Sequence, residues 1–376
     1  MHMPHCDMAY VTPKFRRGEV DRAGRNLVTG NLVFYSDTVD DLGIINNWRS
    51  SHAFPLNSFH VTLRDRSLRL DSRAITAQRI KRLSSIYAKL SRFPTMQLSR
   101  MHDIGGCRAI LRNVAAVRQL VAAYKKSAKR NLTRAELVRE YDYIKFPKDD
   151  GYRCVHLVYK YRSSAKKHLP YNGLRIEIQL RSQLQHTWAT AVETVGTFIG
   201  HALKSSQGPD DWRRFFALMS TYIAIKEKQP IVANTPRDFA LLHQELRTYA
   251  EQLDAVRHLE MYAAAVDAPT RLGGKSQHYF LLELDTTQRQ IRVTGYNLNE
   301  LAKANTDYMN AERQILRESG SPPTSMGKDA VLVSVSSFAA LKRAYPNYFL
   351  DTHRFIQLVN EVCVQPLVTQ VRAPNE

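Results

Sequence analysis

Residues 174–181, Leu-Arg-Ile-Glu-Ile-Gln-Leu-Arg, alternate apolar and polar side chains without a break. That period belongs to a strand, with Leu174, Ile176, Ile178 and Leu180 buried on one face. The other face carries Arg175, Glu177, Gln179 and Arg181 in a row, each about 7 Å from the next. One carboxylate among guanidinium groups suits a site for a metal-bound polyphosphate. The cations clamp the anion, and the carboxylate holds Mg²⁺ or takes a proton. A solvated strand face with a charge ladder has the same pattern, and the neighbouring segments decide between the two.

A chain of 376 residues is long enough for two cores. No apolar run is long enough to span a bilayer, and the start, Met1-His2-Met3-Pro4-His5-Cys6, has no signal core. The four cysteines (Cys6, Cys107, Cys154, Cys363) form no Cys-x-x-Cys pair, which argues against a zinc knuckle or disulfide framework and fits a reducing cytoplasm. Of 54 Lys+Arg and 35 Asp+Glu, residues 261–376 hold 12 and 11, leaving 42 and 24 in residues 1–260. Nearly all of the +19 charge therefore lies in the first part, which is expected to meet a polyanion, while the neutral last part is expected to meet protein.

Residues 1–70 show no regular pattern. Ile80, Leu83, Ile86 or Tyr87, and Leu90 recur at helical spacing and predict a helix over Ser72–Arg92. A strand is expected over His102–Leu111, a helix over Val114–Lys129, and strands over Tyr152–Tyr161 and Leu174–Arg181. Helices follow over Ser182–Leu203, Asp210–Lys228 and Pro236–Ala264. His278–Leu284 and Gln290–Tyr296 form an expected hairpin, Asn297 caps a helix to about Glu318, and Ala330–Ser336 is a further strand. Two closing helices flank Tyr345-Pro346-Asn347-Tyr348.

Several segments carry chemistry. On a Ser72–Arg92 helix, Lys81, Ser85 and Lys89 share one face, with Arg79 near its start, and such a stripe can grip triphosphate oxygens. Asp103-Ile104-Gly105-Gly106-Cys107-Arg108 places a carboxylate beside a glycine pair, where a metal and a phosphate backbone can come close. His102-Asp103 also has the look of a metal-dependent phosphohydrolase pair, but the further ligands are lacking. The loop Asp142–Tyr152 holds Lys145 and Lys148 and ends on a tyrosine able to stack a purine. Period-two geometry would align Tyr152, Cys154 and His156.

Taken in order, these segments resemble the synthetase domain of the RelA/SpoT homologue family. Arg79-Ile80-Lys81 with Ser85, Ile86 and Lys89 is similar to its ATP-binding helix, and Asp103…Gly106…Arg108 to its Asp-x-x-Gly-x-Arg segment. Asp142-Tyr143-Ile144…Pro147-Lys148…Gly151-Tyr152…His156 resembles the acceptor loop, and Glu177–Arg181 the catalytic strand, with His186 and Glu193 on the helix that follows. The resemblance implies transfer of pyrophosphate from ATP to a ribose hydroxyl. Arg79, Lys81, Ser85, Lys89 and Arg108 would bind ATP, and Asp103 and Glu177 would be catalytic and hold Mg²⁺. Tyr152, Lys145, Lys148, His156, Gln179 and Arg181 would bind the acceptor. The segment before Asp103 is short for the family's hydrolase domain. Tyr141 stands where the GDP-using class has Lys, Asp150 where Asn is common and Cys154 where Ser is common, which puts a GDP or GTP acceptor in doubt.

The Tyr345-Pro346-Asn347-Tyr348 turn, in a small α/β unit after a short synthetase, resembles the CapRel-type fused toxin–antitoxin proteins among the toxic small alarmone synthetases. This second resemblance implies pyrophosphorylation of the 3′ CCA end of tRNA, which blocks translation. It also implies a pseudo-zinc-finger half that closes Tyr345 and Tyr348 over the ATP site until a phage structural protein, typically the major capsid protein, releases it. The expected fold is α+β. A mixed-sheet, nucleotidyltransferase-like synthetase domain flanked by helices spans 1–230, a helical connector 231–274, and a small α/β pseudo-zinc-finger domain with flanking helices 275–376. A cytoplasmic monomer is expected. The alternatives are a small alarmone synthetase making (p)ppGpp or (pp)pApp, and a non-enzymatic nucleotide sensor.

Overall fold

The computed structural model describes residues 10–30, 40–129, 135–198, 210–264, 270–271, 277–285, 288, 290–319, 328–335, 341 and 352–364. Its strands are β1 (Ile75–Ile80), β2 (Gly105–Leu111), β3 (Ala135–Asp142), β4 (Val155–Tyr161), β5 (Arg175–Ser182), β6 (Thr270–Arg271), β7 (Gln277–Asp285), β8 (Gln290–Asn297) and β9 (Lys328–Ser334). Among the described residues they form one mixed sheet in the order β3-β4-β5-β2-β1-β9-β7-β8-β6. β2 and β5 run parallel, and β4, β1 and β9 extend that pair with antiparallel neighbours. The α+β expectation holds.

The alternation of residues 174–181 does what its period requires. Leu174, Ile176, Ile178 and Leu180 are all buried. In register with them, Cys107, Ala109, Leu157 and Tyr159 fill the same face, which is covered by helices α3 (Ala53–Leu70) and α5 (Val114–Lys129). Phe59 and Tyr124 meet the Tyr159 ring there, with centroids 5.6 and 5.9 Å away. The opposite face is left for the polar row.

Four expectations are corrected. Residues 1–70 were expected to be irregular, but among the described residues of that stretch helices α1 (Arg17–Thr29) and α2 (Asp41–Ser51) precede α3. Asp40 caps α2 by accepting from the Gly43 amide at 2.6 Å, and Leu56, Phe59 and Leu63 give α3 a buried stripe. The expected Ser72–Arg92 helix is strand β1 followed by a shorter helix, α4 (Leu83–Arg92). Ile75–Ile80 pairs residue for residue with β2, and backbone bonding to a preformed neighbour overrides the apolar spacing. β3 went unread because it is an edge strand with mostly polar side chains and no alternation. The stretch 236–264 holds two helices, α8 (Phe239–Gln252) and α9 (Ala255–Ala264), broken at Asp254, where φ is 43°.

The chain folds as two compact units, one of residues 1–142, 154–183 and 266–349, the other of residues 143–153, 184–265 and 350–376. This division does not follow the boundaries at 230 and 274. The strands after residue 275 join the first sheet, because Gln78 and Arg79 of β1 pair with Ser334 and Val333 of β9. Both faces of β7 and β9 are buried. Phe280, Leu282, Val331 and Val333 pack with Ala77 of β1 on one side, and Leu281 and Leu332 pack with Tyr308 of helix α10 (Leu301–Ser319) on the other. A zinc-finger-like arrangement is not shown by the described residues.

The second unit is helical. α6 (Gln183–Phe198), α7 (Asp210–Lys226), α8, α9 and α11 (His353–Val364) close on an aromatic core of Trp188, Trp212, Phe215, Phe216 and Phe355. No described helix is long and apolar enough to cross a membrane.

Candidate active site

The polar face of the first unit's sheet is assembled by register. Glu177 lies opposite Gly106, Gln179 opposite Arg108 and His156, and Arg79 opposite Gly106 on its other side. Five side chains from four strands, β1, β2, β4 and β5, thus surround a glycine. Arg108 and Glu177 are buried, while Arg79, His156 and Gln179 are half-buried.

Two clusters converge on this face. Asp103, two residues before β2, accepts from Lys81 Nζ at 2.8 Å on one oxygen and from Lys89 Nζ at 2.9 Å on the other. Burial alone would raise the Asp103 carboxyl, but the two ammonium groups hold it well below the usual carboxylate range. Burial lowers Lys81, Asp103 offsets this, and neighbouring Lys89 and Arg79 lower it further. In the other cluster, His156 Nδ1 donates to Glu177 Oε1 at 2.5 Å and Gln179 Nε2 donates to Oε2 at 3.2 Å. Burial raises the Glu177 carboxyl and Asp103 opposes its charge, yet His156 and Gln179 hold it below its ordinary value. The two carboxylates are therefore close enough to repel, and both are ionised.

Lys81 precedes the helix rather than riding on it, so the predicted Lys81-Ser85-Lys89 stripe does not exist as a helix face. Ser85 and Lys89 do share α4, and the turn from β1 into α4 brings Lys81 and Lys89 to the same acid. β4 starts at Val155, so the alignment of Tyr152 with His156 fails. Cys154 is buried with its Sγ 3.4 Å from the Leu180 carbonyl oxygen. Arg181 continues the polar row but is only 3% exposed. Lys145, Lys148 and Tyr152 belong to the second unit. There Lys148 Nζ stands 4.8 Å over the Tyr143 ring and 5.3 Å over the half-buried Tyr152 ring, which packs on the helical core. His186 is buried and Glu193 half-buried on α6 of the same unit. Tyr345 and Tyr348 lie outside the described residues.

Sequence reasoning set His102 aside with the phosphohydrolase pair and missed two further features. His102 is lowered by burial and by Arg175 and Lys89, while Asp103 and Glu177 pull the other way, so it belongs electrostatically with both carboxylates. Its adjacency to Asp103 was the available signal. In the second unit, Phe146 is 68% exposed, with Lys145 Nζ 5.2 Å from its ring centre, so that unit presents an exposed aromatic ring of its own beside the half-buried Tyr152. The other is a crowd of arginines. Burial and the charges of Arg17, Arg100 and Arg139 all lower Arg175, whose side chain is one strand step from Glu177. Beside it, Arg17, Lys160, Arg162 and Asn172 line an open hollow of about 650 Å³. No spacing in the sequence links Arg17 to residue 175.

The glycine pair divides its labour. A Cβ on Gly105 would lie 2.7 Å from Ile176 Cδ1 and 3.3 Å from His52 Cβ, so this position is closed by packing. A Cβ on Gly106 would meet nothing nearer than the Glu177 carbonyl oxygen at 3.9 Å, so the polar face stays open there. Gly105→Ala is expected to cost about 1–3 kcal/mol of stability. Gly106→Ala is expected to fold normally and to weaken nucleotide binding. Thermal melting and nucleotide titration of the two variants check this, and the reverse pattern would refute the assignment of faces.

Among the described residues no group of three or more His, Cys, Asp or Glu is placed to hold a metal ion. Two ionised carboxylates beside an open glycine nevertheless suit Mg²⁺, which commonly takes one or two protein carboxylates and completes its shell from phosphate and water.

Residues 78–195 match the family model described as a region found in RelA / SpoT proteins. Over 120 residues the chain is 29% identical to the GTP pyrophosphokinase YwaC of Bacillus subtilis, covering 31% of this chain and 54% of that protein. It is 32% identical over 120 residues to the GTP pyrophosphokinase YjbM of the same organism, covering 30% and 51%. The chain thus spans about half the length of these curated relatives. Among solved structures, small alarmone synthetase 2 of Bacillus subtilis superposes with a TM-score of 0.41 at 20% identity, over 49% of this chain and 94% of that one. Small alarmone synthetase 1 of Bacillus subtilis bound to pppGpp gives 0.40 at 21%, over 47% and 89%.

Proposed function

We propose that the chain is an ATP-dependent pyrophosphokinase of the cytoplasm that modifies the 3′ CCA end of tRNA. The observation that carries the pyrophosphokinase reading is the pairing of Asp103, bridged by Lys81 and Lys89, with Glu177 on the neighbouring strand. Lys81, Lys89, Arg79 and Arg108 supply cations for the triphosphate, with Ser85 beside them on α4. Asp103 and Glu177 would hold Mg²⁺, which when bound neutralises charge on the transferring phosphates. Glu177, oriented by His156 and Gln179, accepts the proton of the attacking ribose hydroxyl. The hydroxyl oxygen bonds to the β-phosphorus, the α–β bridging bond breaks, and AMP departs with its electron pair.

The arginine crowd supports a polymeric acceptor. Burial first, and then the charges of Arg17, Arg100 and Arg139, lower Arg175, and a phosphate backbone would relieve the repulsive part. A polynucleotide acceptor brings phosphates beyond its reacting ribose for this hollow, while the cations around Asp103 take those of ATP. The neutral C-terminal part supports a protein trigger, and we assign it the sensing of a phage structural protein and the restraint of the ATP site by Tyr345 and Tyr348. The second reading, synthesis of (p)ppGpp or (pp)pApp, is favoured by the names of the two relatives, both GTP pyrophosphokinases.

Incubation of the protein with γ-labelled ATP and bulk tRNA, GDP, GTP or ATP separates these readings. Because restraint is part of the proposal, the Tyr345→Ala/Tyr348→Ala variant is assayed alongside. Label is expected on tRNA and lost after removal of the terminal adenosine. Label on mononucleotides alone would leave the second reading standing.

A further inference from the structure

A buried ionic network ties the C-terminal helix α10 to the segment that carries Lys81 and Lys89. Arg49 of α2 uses all five of its N–H donors. Nη1 and Nη2 donate to Glu312 Oε2 at 2.6 Å and Oε1 at 3.0 Å, Nη2 also to Tyr308 Oη at 2.7 Å, Nη1 also to Asn46 Oδ1 at 2.8 Å, and Nε to the Lys81 carbonyl at 3.0 Å. Tyr308 in turn donates to Glu312 Oε1 at 2.7 Å. The Arg49 and Glu312 side chains are only 3% and 9% exposed.

The network ends on a helix terminus. The Leu83 amide, first in α4, donates to Glu312 Oε1 at 3.0 Å, and the preceding Arg82 supplies no side-chain cap. A carboxylate 229 residues further along the chain therefore caps the helix that bears Ser85 and Lys89, at the end where its dipole favours negative charge. The Lys81 carbonyl is held by Arg49, and its amide donates to the Ile104 carbonyl at 2.8 Å, next to Asp103. β9 pairs with Gln78 and Arg79 just upstream. Both ends of the short link between β1 and α4 are thus fixed by the C-terminal segment.

We propose that Glu312, with Tyr308 and Arg49, is a positioning set for nucleotide binding, by which α10 aligns Lys81 and Lys89 on one anion. The inference rests on the reading that these two lysines bind the triphosphate of ATP. Whatever shifts α10 is then felt at the phosphate cations without any contact with the nucleotide. The general cost of a buried arginine–carboxylate pair makes a purely stabilising role a poor explanation, since apolar residues of similar volume would serve stability as well.

The test uses the full chain carrying Tyr345→Ala and Tyr348→Ala, so that the proposed restraint does not mask the ATP site, and a non-hydrolysable ATP analogue with Mg²⁺. Glu312→Gln removes the charge and keeps one acceptor oxygen. Tyr308→Phe removes one hydroxyl and is the milder change should Glu312→Gln fold poorly. Each is expected to weaken analogue affinity at least roughly tenfold per folded molecule, since a displacement of about 1 Å in a site can cost more than that. Glu312→Asp, which restores the charge, is expected to recover part of the loss. Lys89→Ala serves as the reference for the reading itself. If Lys89→Ala loses affinity while Glu312→Gln and Tyr308→Phe only melt at lower temperature, the positioning role is overturned and the ATP assignment stands. If Lys89→Ala binds like the parent double variant, the assignment falls and this inference with it.

Discussion

Replacing Glu177 by Gln is expected to reduce pyrophosphate transfer by about 10²–10⁴-fold, the range a positioned proton acceptor supplies, while the protein stays folded. The amide has the shape of the carboxylate, and its oxygen still accepts from His156 or from Gln179, which now donate 2.5 and 3.2 Å from the two carboxylate oxygens. What the amide cannot do is take a proton or give a metal an anionic ligand. The fall should appear in kcat, because the cations proposed to hold the triphosphate are on β1, α4, β2 and the link between β1 and α4 and remain in place. Single-turnover transfer of label from ATP in the Tyr345→Ala/Tyr348→Ala background, with melting as the control for folding, measures this. A variant keeping more than a tenth of that background's transfer would return the polar face of β5 to the status of a charged surface.

The face of β5 was legible because a strand's period of two is strict, and each polar residue predicted there is on the side away from α3 and α5. The carboxylate pair was legible for a related reason. Glu177 sits on β5 opposite Gly106 of the parallel neighbour β2, and Asp103 lies two residues before β2, so recognising both strands brings the acids to the same region of the sheet. The lysine pair was found with the wrong geometry. Apolar spacing from Ile80 to Leu90 extends a true helix backwards through a strand, because Ile80 satisfies both periods, and only the pairing with β2 decides. What stayed hidden has no local signature. Arg17 meets Arg175 across 158 positions of the chain, Glu312 caps a helix 229 residues upstream, and neither sequence neighbourhood names its partner. The N-terminal helices were obscured because their exposed faces are rich in arginine, which blurs an apolar stripe of only three or four residues per helix.

Replacing Asp103 by Asn is expected to act in opposite directions on binding and on transfer. In the native protein each Asp103 oxygen takes one lysine, at 2.8 and 2.9 Å. Asn offers one acceptor and turns an N–H₂ group toward the other ammonium, so one lysine loses its partner beside a second cation in a site only about a fifth exposed. The free protein should lose on the order of 2 kcal/mol and melt a few degrees lower. A triphosphate brings the missing negative charge, so ATP in the presence of EDTA should raise the melting temperature of Asp103→Asn more than that of the native protein. Adding Mg²⁺ reverses the order. The native protein retains both carboxylates for the ion and gains further, whereas the variant has Glu177 alone and should gain little, with transfer falling at least about 10²-fold for want of charge neutralisation at the phosphates. The sign of the Mg²⁺ increment is the decisive quantity. If the ion strengthens ATP binding equally in both proteins, Asp103 is a spacer that keeps two lysines apart, and the metal must be sought on Glu177 and the phosphates without it.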